Sequence, residues 1–108
     1  MDVVHPHVEQ LQAVLELSHG MLRMALAKDW HTLASLEESR RRKLEAFFAV
    51  PVPAHLAKWV GAGVAEILEM DKQIIAACEA GRREAADAMR QLHQAHHAVH
   101  VYESGVET

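Results

Sequence analysis

Residues 93–100 read HQAHHAVH, and their four imidazoles are the densest group of chemically active side chains in the sequence. On a helix, His93 and His97, or His96 and His100, stand four residues apart on one flank, a spacing at which neutral imidazoles chelate a divalent ion. A metal in a helical bundle also draws carboxylates from facing helices. The four histidines alternate around Leu92, Ala95 and Val99, where the polar flank of an amphipathic helix falls. We read them as that flank, with metal binding through His93, His96, His97 and His100 as the alternative.

Other charged groups interrupt apolar patterns. Glu37 and Arg40 are three apart on the apolar side of one helical segment, and Asp71 sits in the apolar stripe of another. Buried charges are costly unless paired, so the three are expected to form a structural ion network that fixes how the helices register. Acid–base chemistry by the two carboxylates lacks a nucleophile, a glycine-rich loop or a third catalytic group to complete it. The run RRRK, Arg40 to Lys43, points in four directions around a helix and is surrounded by Glu37, Glu38 and Glu45. It reads as a salt-bridged, solvated flank rather than a nucleic-acid contact. Cys78 is the sole cysteine. It falls on an apolar stripe as a small buried hydrophobe, with no second thiol for redox or zinc chemistry. No enzyme and no cofactor are expected.

These groups must be carried by helices. The chain has 108 residues, 50% of them apolar, with three prolines, five glycines and 5% aromatics. That is one domain's length, rich in helix formers and poor in strand formers, so the class is all-α. The net charge of −4 lacks the basic excess of a dedicated nucleic-acid binder. The first ten residues, MDVVHPHVEQ, show neither a basic nor an apolar leader region, and no apolar run is long enough to span a membrane. A cytoplasmic protein without membrane insertion is expected.

Val4, Val8, Leu11, Leu15, Ser18, Leu22 and Ala25 recur in steps of four and three, giving a first amphipathic helix over about 5–27. Pro6 suits its first turn. Asp29 is placed to cap a second helix over about 30–49, carrying Trp30, Leu33, Glu37, Arg40, Leu44 and Phe47. VPVP, Val50 to Pro53, ends it. A third stripe then runs Val60, Val64, Ile67, Asp71, Ile74, Cys78, Gly81, Ala85, Ala88, Leu92, Ala95, Val99 and Tyr102 without a slip. This helix covers about 54–80 and continues or bends to about 102, roughly 65 Å from Val60 if unbroken. Residues 103–108 read as a tail. Its stripe is bulky up to Cys78 and mostly alanine beyond Gly81, so the second half must fold back, pair with a second copy or take a partner. The expected architecture is an antiparallel three- to four-helix bundle with a long third helix, in a single domain spanning 1–108.

The order of these features resembles the FliT family of flagellar export chaperones. The resemblance rests on MLRMALAKDWHTL (Met21 to Leu33), Glu37 and Arg40, the proline break, ILEMD (Ile67 to Asp71) and Tyr102, and covers about 20–105. It implies a non-enzymatic protein that binds the C-terminal segment of the filament-cap protein, keeps it unpolymerised and delivers it to the export gate and export ATPase. In some members the freed chaperone also binds and represses the flagellar master transcriptional regulator. The resemblance implies a partner-binding groove at Ile67, Asp71, Ile74, Ile75 and Cys78, partly covered by a C-terminal helix, and gives Tyr102 a part in contacts with the export apparatus; we count Val64 and Leu68 of the same helix among the expected partner-binding residues. Ala77 and Cys78 stand where leucines are common, and the glycine often found near Arg90 is missing. Two other readings remain: a helical homodimer binding metal through its histidines, and a purely structural coiled-coil dimer.

Overall fold

The computed structural model describes residues 5–106. Three helices account for nearly all of them: α1 (Pro6–Leu26), α2 (Trp30–Phe48) and α3 (Ala57–Val106), with a single 3₁₀ turn at Ala54–Leu56 leading into α3. By contacts the chain divides into one unit up to Ala77 and another from Cys78 onward.

In the first unit, α1 starts where proline costs least. His5 is its N-cap, accepting from the His7 N–H through Nδ1 at 3.1 Å, and Pro6 follows at the first helical position. The helix ends without a glycine. Lys28 takes the left-handed conformation, φ 61°, and two bonds close the end around it: Asp29 N to Met24 O at 2.9 Å and Lys28 N to Ala25 O at 3.2 Å. This is the Schellman arrangement with lysine in the position that usually favours glycine. The next residue, Asp29, opens α2 by accepting from the Thr32 N–H at 3.1 Å and the Thr32 hydroxyl at 2.7 Å. Two residues therefore close one helix and begin the next.

The pairings fix the helix directions. His7 reaches Val50 O at 2.9 Å and Arg40 reaches Ser18 Oγ at 3.1 Å, so α1 and α2 run antiparallel. Arg40 also meets Asp71, while Phe47 and Ile67 share a cluster, so α2 and the first part of α3 run antiparallel too. Leu11, Val14, Phe47 and Ile67 form the centre, with Leu15, Leu44, Val52 and Val60 packed against it. Met21, Ala25, Met70 and Ile74 are also buried. Gly63 lets α3 approach α1: a Cβ there would lie 2.7 Å from Leu11 Cδ2. α2 contributes a single buried residue, Phe47.

The second unit is helix alone. α3 continues to Val106, so no discrete fourth helix begins after Gly81 among the described residues. Every residue from Arg82 to Gly105 is exposed.

Candidate functional site

The polar centre of the first unit is Arg40. Its Nη1 donates to Asp71 Oδ1 at 2.7 Å and to Ser18 Oγ at 3.1 Å, and Ser18 in turn donates to Val14 O at 2.8 Å. The guanidinium side chain is 14% exposed and the Asp71 side chain 29%, so the pair is screened from most of the solvent. One nitrogen thus touches all three helices. Ser18 is fully buried and gains its hydrogen-bond partners on both sides. The periodicity of α1 placed Ser18 on the inner stripe; a hydroxyl at such a position was the signal that a polar partner must face it.

Glu37 is not part of this cluster. It accepts from Arg41 Nη2 at 2.6 Å along its own helix, and Glu38 pairs with Arg41 and Arg42 at 3.3 Å each. The i, i+4 geometry satisfies Glu37 locally before it can reach across to α3. Hydrogen bonding to Glu37 raises Arg41 above the ordinary guanidinium range, with the Glu37 and Glu38 charges adding to it. The basic run is accordingly split: Arg40 turns inward, while Arg41 and Arg42 serve the solvated flank.

Two faces meet at the Arg40–Asp71 bond. On α2, Glu37, Arg40, Arg41, Leu44, Glu45 and Phe48 line an open depression, apolar at Leu44 and Phe48. On α3, Val64, Leu68, Asp71 and Ile75 recur at helical spacing. Leu68 and Ile75 are each 57% exposed, and Val64 and Asp71 are half-buried. Ile67 and Ile74, at 6% and 7% exposure, point into the core instead. The groove positions inferred from sequence therefore separate into two sets: Ile67 and Ile74 hold the bundle together, and Leu68 and Ile75 can be touched from outside. The result is an open apolar strip beside a half-buried ion pair.

The remaining expected residues lie in the second unit. Cys78 is a half-buried free thiol, and Tyr102 is 73% exposed. Met89, Leu92, His93 and His96 line a shallow depression on the helix surface. His93, His96, His97 and His100 are all exposed. Among the described residues, no three His, Cys, Asp or Glu side chains stand together as a metal site. A Glu-x-x-His spacing occurs at Glu16 and His19 of α1, both exposed; His19 Nε2 lies 3.5 Å from Glu66 Oε1 of α3. Sequence reasoning also missed His7. It is 3% exposed, meets the Phe47 ring edge-on at 4.9 Å and anchors the segment after α2 through Val50 O.

The described residues thus form an all-α bundle with an open apolar strip beside the Arg40–Asp71 bond. The model of one family, the flagellar protein FliT, matches residues 8–104, nearly the whole chain. The chain belongs to the FliT family, whose role is that of a flagellar export chaperone. No curated protein and no solved structure matches it. Among the described residues no helix is long and apolar enough to cross a membrane.

Proposed function

We propose that this protein binds the C-terminal segment of the flagellar filament-cap protein on the strip between α2 and α3. It acts in the cytoplasm, without catalysis, holding the segment unpolymerised and delivering it to the export gate and export ATPase. The observation that carries this reading is the pair of exposed side chains Leu68 and Ile75, seven residues apart and flanked by Val64 and the Arg40–Asp71 bond. An amphipathic client helix places its own anchors at i, i+3, i+4 and i+7 on such a strip. Ordering the client offsets much of the contact energy, which keeps the complex releasable at the export gate. Tyr102 supplies a contact to the export apparatus, and repression of the flagellar master regulator is a further use of the freed chaperone.

The test is a calorimetric titration of the cap-protein C-terminal peptide against the wild-type chain, Leu68→Asp and Ile75→Asp. Ile74→Asp is unsuitable because Ile74 belongs to the core. Binding by the wild type, weakened about tenfold or more by either substitution, is expected; tenfold corresponds to about 1.4 kcal/mol. Absence of binding, or equal binding by all three proteins, would rule the strip out.

A further inference from the structure

We infer that the groove between α1 and α2 is a second docking surface, and that its occupant is an amphipathic helix of a partner protein whose apolar stripe is bordered by carboxylates. The groove is open, measures about 470 Å³ and has an apolar floor where Ala13, Leu17 and Met24 of α1 meet Leu36 of α2. Leu17, Met24 and Leu36 are each half-buried, so the bundle leaves part of every one of them uncovered. A methionine on such a floor adapts its shape to different apolar anchors.

Gly20 gives the groove its depth. It is buried, and a Cβ there would lie 3.4 Å from Leu36 Cδ1 and 3.6 Å from a terminal nitrogen of Arg23. Alanine would just fit, whereas any longer side chain would take the space that the Arg23 guanidinium borders. The guanidinium thus lies back along α1 over the position of Gly20, at the edge of the floor.

The charges on the two walls say what the occupant carries. Arg23 stands on the α1 wall and Lys43 on the α2 wall. Both are exposed, and among the described residues neither has an ion-pair partner. The adjoining arginines differ, since Arg40 is taken by Asp71 and Arg41 and Arg42 by Glu37 and Glu38. Glu16 is the single acid on the lining. A helix that lays its apolar stripe on this floor brings one flank against each cation, and carboxylates on both flanks complement them where lysines would be repelled. A flat lipid surface would rest on the rims and leave the floor uncovered. The inference does not depend on the chaperone reading: Leu44, Phe48, Leu68 and Ile75 of the strip between α2 and α3 do not line this groove, so client and second partner can be held at once.

The experiment uses the full chain and two synthetic amphipathic helices, one with a leucine stripe bordered on both sides by glutamate and a twin with lysine for every glutamate, titrated by fluorescence anisotropy. The glutamate peptide should bind, and the lysine peptide should bind about tenfold more weakly or not at all. Arg23→Glu with Lys43→Glu should reverse that order while keeping the helical circular dichroism, and Glu16→Gln should tighten the glutamate peptide by about twofold. Leu68→Asp should leave the glutamate peptide unaffected, and the cap-protein peptide should bind the Arg23→Glu, Lys43→Glu variant as it binds the wild type, so the two readings fail separately. No binding of the glutamate peptide, equal binding of both peptides, loss of binding in Leu68→Asp, or binding to phosphatidylglycerol vesicles in place of the peptide would overturn the inference.

Discussion

Arg40 Nη1 lies 2.7 Å from Asp71 Oδ1 and 3.1 Å from Ser18 Oγ, so a single guanidinium nitrogen on α2 ties both neighbouring helices. Removing it leaves a half-buried carboxylate and a buried hydroxyl short of a donor. Arg40→Met should cost about 1–3 kcal/mol in urea unfolding, because an orphaned polar group keeps its desolvation penalty. Glu37→Ala, three residues away but paired only along the exposed flank, should change little. Equal losses in the two variants would show that Arg40 has no special place.

The two glycines of early α3 should respond in opposite directions. At Gly63 a methyl would press to 2.7 Å from Leu11 Cδ2, and Leu11 is 1% exposed with no room to retreat. Gly63→Ala should destabilise by about 1–3 kcal/mol through overpacking. At Gly61 nothing lies within 4 Å, so Gly61→Ala should stabilise by about 0.5–1 kcal/mol as an ordinary helix substitution. Denaturant midpoints of the two variants decide it.

Lys28 occupies a left-handed conformation at the close of α1. A side chain there costs roughly 1–2 kcal/mol that glycine does not incur. Lys28→Gly should therefore raise stability by up to about 1 kcal/mol, less than the whole strain because glycine also gives the unfolded chain more freedom. A lower thermal midpoint for the variant would contradict this.

Asp29 couples the start of α2 to pH. Its carboxylate is held below the usual range, first by the hydrogen bond from the Thr32 hydroxyl and then by the one from the Thr32 N–H. A carboxylate whose folded value is depressed adds stability above its unfolded value and loses it as pH falls through the folded one. Asp29→Ala should thus be less stable than wild type at neutral pH, and the gap should close on acidification through the carboxylate range. A gap that stays constant with pH would mean the cap acts without its charge.

The helix class was legible because periodicity and punctuation agreed. Pro6, Asp29 and VPVP each stand where a helix begins or ends, and the stripe of α3 predicted its inner residues Ile67 and Ile74. The width of the covered arc was not legible. Spacing shows which residues share a side of a helix, but only packing reveals that Ile67 and Ile74 are inside while their neighbours Leu68 and Ile75 remain outside. The ion cluster was readable as to Arg40 and Asp71 and misleading as to Glu37, since a local i, i+4 partner satisfies a carboxylate without leaving a trace in the apolar pattern. Lys28 gave no warning, because only the absence of a glycine between two adjoining helices hints that another residue must take the left-handed turn.

α3 is a single hydrogen-bonded ladder, yet Met70 and Ile74 are buried on it while no residue from Arg82 to Gly105 is. Heat should consequently not dissolve it in one cooperative event. A calorimetric trace would be composite: a late component set by the packed residues, and an earlier one from the exposed outer stretch. Amide exchange along this one helix would then read as a gradient, slow near Ile74 and fast toward Tyr102.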